Sequence, residues 1–597
     1  MKKKYVRWTL WTIASPFILF IILCILIYLP PIQNFLVDKA AVYASEATGM
    51  NISVGRISLS FPLNLVVTNV DAASPHNDTL LSVRRLQVNV QLLPLLKKQV
   101  EVDGISLQGA TVNSNDLIHG MKLNGTLGEL FISSHGVALD PETAIVNKVL
   151  LKDTDLSLCL NDTAAADTAA SDTAYWKIIL QDIDLQNVSF ALDMPLDSLS
   201  LAASLDNAIL RDGLIDLHKS AYSLQTFRIE NGRVRYDNGK PLAADSLSSG
   251  LDPSHIALTD IGVKLDSLYY EGRNMKAIIS QFVLKERSGV EIVSATGRMV
   301  SNDKVLRVPS LKLETRDSYL ELNAAMDWNA LDFKDEGLVS ARLMADIGKP
   351  DVVRFMGSMD EKFIRQYPSE PLRIRTGIDG DLNKLKLTTL TAELPGALGL
   401  FARGELTHLT DSLLRGGDIT LEAETKDLKF VSTLAEGIEI PYGTRLEGKF
   451  TMAGTKMGTD LLLMQPEAQA VVAADTIPIT VYNDSISVAD DFKMERAARL
   501  FAKYDLSRDR YEADLAVNHF DLHQFMPADS LYTLSTRLKV EGEGFDFFSP
   551  RTYFNAEGGI DRFHYGSYHL TGISLAAGLE KSKVHASLAV KKLDHGY

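Results

Sequence analysis

Cysteine is almost absent from this chain: Cys24 and Cys159 are the whole complement. Cys24 sits inside an apolar N-terminal run, so an intramolecular disulfide framework is implausible and cysteine-rich zinc sites are excluded. Tryptophan is as scarce. Trp8 and Trp11 stand in that same run, which leaves Trp176 and Trp328 as the only indoles for sugar stacking. A carbohydrate-active protein would also need two carboxylates converging in a cleft. No basic block follows the first seven residues and the formal net charge is -15. Phosphate backbones demand clustered Lys and Arg, so nucleic acid is not an expected partner. The chain has no HExxH, no Walker A sequence and no nucleophile elbow. Gly542 and Gly544 lack the third glycine of a nucleotide-binding loop. The expectation is a protein that is not an enzyme and holds no cofactor.

Two minor signals remain. His564 and His569 lie close together, but zinc would find few further ligands nearby, and both read as surface histidines on strands. The run DTAAADTAASDTA, Asp162 to Ala174, lacks the glycine and closing glutamate of a calcium loop and reads as a low-complexity linker.

What is present begins with an anchor. Lys2, Lys3, Lys4 and Arg7 precede a charge-free run from Trp8 to Leu29. At 1.5 Å per residue that run is roughly 33 Å long, enough to cross a hydrocarbon core. A cleavable signal peptide would have a shorter apolar region and a small-x-small site. The run instead ends in Tyr28-Leu29-Pro30-Pro31 and predicts an uncleaved signal-anchor. The basic flank orients it N-terminus in, with the bulk exported. Ile32, Phe35, Leu36, Ala40, Tyr43 and Ala47 then recur at helical spacing up to Gly49, predicting a juxtamembrane helix over 30–50.

From Ile52 the dominant period becomes two. Ile57, Leu59, Phe61, Leu63, Leu65 and Val67 alternate with polar residues, as do Leu86, Val88, Val90 and Leu92. The pattern returns at Ile183 and Leu185, slips, and resumes at Val188, Phe190 and Leu192. Strict alternation marks strands with one dry and one wet face. The steps Asp103-Gly104, Asn124-Gly125, Asn231-Gly232, Asp379-Gly380 and Gly558-Gly559 predict hairpin turns. Val352 to Tyr367 has helical spacing and predicts one short helix. Few compositional boundaries interrupt the strands. A sandwich, a barrel or an open trough would each hide a one-sided apolar face. The uninterrupted patterning favours one elongated sheet over separate modules.

The block Gly49-Met50-Asn51-Ile52-Ser53-Val54-Gly55-Arg56-Ile57 is followed by Leu65–Val70, Leu86–Val90, Leu92–Lys98 and Ile105–Ala110. Together with the anchor before it, this block resembles the start of AsmA-like envelope proteins, most closely the TamB group of Bacteroidetes. Phe227–Tyr236 is similar to the repeated strand unit of that family, and Gly542–Asp546 looks like another. The resemblance implies an all-β fold: an elongated, curled antiparallel sheet, taco-shaped, with an apolar groove behind one transmembrane helix. It implies phospholipid movement between inner and outer membranes, or help in assembling and secreting outer-membrane proteins. Acyl chains and the inner membrane are the partners so implied. An outer-membrane assembly barrel would meet a C-terminal region that this sequence, ending at Tyr597, does not include. The expected layout is a cytoplasmic flank (1–7), anchor (8–29), juxtamembrane helix (30–50), first β block (51–160), linker (161–175) and β-groove region (176–597). Ile57, Leu59, Phe61, Leu63, Leu65, Val67, Leu86, Val88, Val90 and Leu92 are the expected groove lining. The competing readings are a passive tether or adhesin of sealed β-modules, and a carbohydrate-active β-protein.

Overall fold

The fold is seen in a computed structural model. It describes residues 50–60, 64–74, 79–90, 102–114, 121–138, 142–161, 176–240, 250–334, 337–356, 360–434, 437–465, 497–546, 548–581 and 583–595, with positions 39, 42 and 45. The predicted anchor, Lys2, Lys3, Lys4, Arg7 and the linker 162–175 lie outside the described residues. Lys39, Val42 and Ser45 are helical, and the Ser45 hydroxyl accepts a hydrogen bond from the Ile52 amide at 3.0 Å. Among the described residues no helix is long and apolar enough to cross a membrane.

The protein is all-β. Its strands are β1 (Asn51–Ser60), β2 (Asn64–Ala73), β3 (Thr79–Val90), β4 (Val102–Asn113), β5 (Met121–Ala138), β6 (Thr143–Leu160), β7 (Lys177–Met194), β8 (Leu199–Asp216), β9 (Ala221–Leu224), β10 (Thr226–Asp237), β11 (His255–Glu271), β12 (Asn274–Glu286) and β13 (Glu291–Ser301). There follow β14 (Val305–Thr315), β15 (Tyr319–Asp327), β16 (Leu338–Ile347), β17 (Leu372–Asp381), β18 (Lys384–Leu394), β19 (Leu398–Thr407), β20 (Gly416–Thr425), β21 (Arg445–Ala453) and β22 (Lys456–Met464). The last are β23 (Ala497–Asp505), β24 (Arg510–Asp521), β25 (Leu531–Glu543), β26 (Tyr553–Tyr565), β27 (Tyr568–Glu580) and β28 (Lys583–His595). The chain divides into two compact units, the first reaching Gly297 and the second running from Arg298, with 248–250 assigned to the second.

In the first unit β1 to β6 pair in sequence order, each antiparallel to the last. The expectation of a wholly antiparallel sheet fails at the next step. β6 and β7 pair in parallel, Thr143 opposite Lys177 and Leu158 opposite Leu192. Leu160 and Lys177 therefore sit at opposite ends of the pair, and a tight turn cannot join them. That is why linker composition, rather than turn composition, separates these two strands. β9 and β10 both lie between β8 and β11 and act as one interrupted strand.

In the second unit β14 to β28 pair in sequence order, every pair antiparallel. The connections at one end are short hairpins, save that β15 and β16 are joined through α1 (Trp328–Leu331). At the other end β16–β17, β20–β21 and β24–β25 are joined through helical turns, and β14–β15, β18–β19 and β26–β27 through short hairpins. There the single predicted helix is two, α2 (Lys349–Met356) and α3 (Glu361–Gln366). The α3 cap is Asp360, whose carboxylate accepts from the Lys362 amide at 2.6 Å. Phe363 of α3 is 2% exposed and packs with Tyr367, Leu394, Ala397, Leu428 and Phe430. The rings of Phe363, Tyr367 and Phe430 lie 5.1–5.7 Å apart, tilted or edge-on.

The five predicted turns are corrected. All five glycine steps fall inside strands: β4, β5, β10, β17 and β26. Glycine serves close strand approach there instead. At Gly125 a Cβ would collide with the carbonyl oxygen of Asp155 on the neighbouring strand.

Candidate apolar face

The period-two residues register across strands. In the first unit one row runs Leu59, Leu65, Val88, Ile105, Ile132, Val149, Ile183, Leu210, Phe227, Leu265. A second runs beside it: Ile57, Val67, Leu86, Leu107, Leu130, Leu151, Leu185, Ala208, Ile229, Val263. Six of the ten expected lining residues thus stand together: Ile57, Leu59, Leu65, Val67, Leu86 and Val88. Phe61, Leu63 and Leu92 lie outside the described residues, as does the side chain of Val90.

The opposite face is wet. Arg56, Thr68, Arg85, Gln108, Glu129, Lys152, Gln186, Asn207 and Glu230 form one continuous row on it. Such a row keeps water on one side of a half-buried sheet.

Next to these rows the strands are creased. The ladder skips one residue per strand along a line through Gly55, Asn69, Arg84, Gly109, Gly128, Asp153, Asn187 and Asp206. Asn69, Gly109, Asp153 and Asn187 have φ between 48° and 62°, the left-handed region that Asn, Asp and Gly tolerate. Their neighbours must yield space. A Cβ on Gly128 would stand 2.8 Å from the Asp153 Cβ. Asn187 donates to the Asp153 carboxylate at 2.9 Å, and Asn231 donates to that of Asp206.

A left-handed residue breaks the in-out alternation by one step. This is the slip between Leu185 and Val188, and it keeps both residues on the apolar face. Beyond the crease a third dry row follows: Val54, Val70, Val83, Ala110, Leu127, Thr154, Val188, Leu205. Val83 and Thr154 in this row are 5% and 2% exposed, and Val67, Ala110 and Ala208 flanking the crease are also buried. Ile105 and Phe190, farther from it, are exposed. Buried dry-row side chains thus cluster along the crease, with Ala72 buried two residues beyond Val70. A second crease crosses β6, β7 and β8 at Asn147, Gln181 and Asp212, six residues from the first in each strand. Asn147 donates to Gln181 there at 3.0 Å.

The second unit repeats the chemistry at greater length. One row runs Leu311, Leu322, Leu343, Thr376, Leu390, Ala402, Leu421, Gly448, Leu461, Leu500, Leu515, Leu538, Gly558, Leu575, Leu588. Parallel rows start at Leu313, Val308 and Leu306. No charged residue occupies any of the four between β14 and β28. Leucines and isoleucines in these rows, save the buried Leu579, remain half-buried or, at Leu575 and Leu588, exposed. Sheets packed face to face bury such side chains.

Acidic and basic side chains keep to the other face. Arg211 bridges Asp182 and Asp184, Arg375 meets Asp346 at 2.6 Å, and Arg499 meets Asp460 at 2.6 Å. Glu447 faces Glu422, and its carboxyl is pushed up by burial and then by that like charge. His564 and His569 are cross-strand neighbours with rings stacked 4.2 Å apart. His523, Tyr532 and His564 continue the stack. Among the described residues no three His, Cys, Asp or Glu side chains group to hold a metal. Comparison with protein-family models and with curated proteins gives no match to this chain.

Proposed function

We propose that the protein is a membrane-anchored, exported scaffold whose apolar face carries the acyl chains of phospholipids, and that it serves lipid traffic or outer-membrane protein assembly between two membranes of a cell envelope. One observation carries the reading. The dry rows cross strand after strand without a charge, yet their long side chains stay partly open. A sealed module would bury such rows, and hydrophobic burial of about 25 cal/mol per Å² gives every reason to do so. Aliphatic tails satisfy the same surface with no specific hydrogen bonds, so such a carrier needs a stripe and no catalytic constellation. The anchor expected from Trp8 to Leu29 would hold that stripe near its lipid source.

Mass spectrometry of an organic extract of the purified full chain tests this. The proposal expects phospholipid at about one molecule or more per chain, surviving gel filtration. A folded protein that carries none, and takes none from vesicles, contradicts it and leaves the tether reading.

A further inference from the structure

The joint between β6 and β7 is parallel, with Thr143 opposite Lys177 and Cys159 opposite Asp193. A chain that closes this joint on itself must return from Leu160 to the level of Thr143. The two separations, 143 to 160 and 160 to 177, are equal at seventeen residues. At a rise of 3.2–3.4 Å per residue, β6 measures about 54–58 Å along its backbone. Seventeen residues at full extension reach only about 56–61 Å. A flexible chain of that length has a root-mean-square span of about 21–25 Å. Were the creases to shorten the path by a third, about 36–39 Å would still have to be bridged. Crossovers of a dozen or more residues ordinarily serve strands of about five or six. β6 and β7 are 18 residues each.

The joint itself is a complete interface. It holds fifteen residue pairs, and the dry rows cross it at Val149–Ile183 and Leu151–Leu185. Asn147 donates to Gln181 at 3.0 Å, and Asn187 donates to the Asp153 carboxylate at 2.9 Å. On one side β1 to β6 pair in sequence order, and on the other β7 pairs with β8. These contacts are the same whichever chain supplies β7. Opening the joint would bare two long strand edges, so one chain or another must close it. A connection too short to close at ease within one chain is the condition under which identical elements exchange between copies.

We infer that β6 of one copy pairs with β7 of a second copy, and reciprocally, so that the protein is a strand-exchanged dimer. Every hydrogen bond of the joint is kept, and residues 161–176 pass between the copies instead of doubling back along one of them. The inference stands apart from the lipid-carrying reading.

Cys159, a thiol in no disulfide, gives the test. Its partner position lies on the adjacent strand, about 4.8 Å away, within reach of a short bismaleimide. The full chain carrying Asp193→Cys and Cys24→Ser is bridged with that reagent and run on a denaturing gel. Covalent dimer should exceed internally bridged monomer by at least about tenfold. Inserting about a dozen Gly and Ser residues after Ala169 supplies slack and a millimolar effective concentration within the chain, so the ratio should reverse. Internally bridged monomer in the chain of native length overturns the exchange. No bridge at all in folded protein overturns the joint's register and the exchange with it. A dimer band undiminished by the insertion overturns the inference as well, since slack should restore closure within the chain. Light scattering of the wild-type chain in detergent serves if Asp193→Cys does not fold: twice the chain mass is expected, and a monomer overturns the exchange.

Discussion

Glu447 stands directly opposite Glu422 on the wet face, the pair flanked by Phe401 on the Glu422 side and Leu462 on the Glu447 side. Its folded carboxyl titrates above the usual range, so its neutral form is favoured in the fold. The stability linked to that proton is fully present below the unfolded value near 4.3 and is lost as pH rises through the higher folded one. Glu447→Gln should therefore stabilise the protein at pH 7 by roughly 0.2–1 kcal/mol, the scale of a cross-strand like-charge pair. The gain should shrink to nothing near pH 4, as thermal melts at the two values would show. The crease makes a second claim at this scale. Asn187 holds φ 51°, so Asn187→Gly should change stability by less than about 1 kcal/mol. Asn187→Val, β-branched in a left-handed position, should cost about 2 kcal/mol in a urea midpoint series. A valine as well tolerated as glycine would mean that the backbone does not turn there.

Among the elements, alternation made the strands legible, because a half-buried strand must sort its residues by face. Even the crease left a trace, as the slip between Leu185 and Val188. What misled was glycine. Asn-Gly and Asp-Gly serve hairpins by their freedom of φ, but the same pair serves a strand wherever neighbouring backbones come too close for a Cβ, as at Gly125. The β6–β7 pairing left no mark in the pattern, since a strand looks the same read beside a parallel or an antiparallel neighbour. Helical spacing at Val352–Tyr367 located α2 and α3 but not which side is buried: Phe363 is enclosed while Phe355 and Met356 are exposed. Phe363→Ala should accordingly cost about 3–5 kcal/mol in denaturant unfolding of the second unit. A loss under 1 kcal/mol would mean that the helical end is not a core.

On the scale of the whole molecule, the expectation of an apolar face held because that face demands only residue type at a fixed period. Whether it is sealed or open was not legible, since both use the same leucines; their partial exposure within each unit is what supports the open reading. Adjacent leucines in β22 offer the most direct test of the central claim. Leu461 lies on a dry row between Gly448 and Leu500, and Leu462 lies on the wet face between Glu447 and Arg499. Val88 and Asn89 make the matching pair in the first unit, Asn89 sharing the wet face with Gln87, to which it is hydrogen-bonded at 3.0 Å. A photo-crosslinking residue at each of these four positions, irradiated in cells and analysed for attached lipid, should capture phospholipid at 88 and 461 and at least about tenfold less at 89 and 462. Equal capture on both faces, or none at 88 and 461 in folded protein, would contradict a lipid-bearing face.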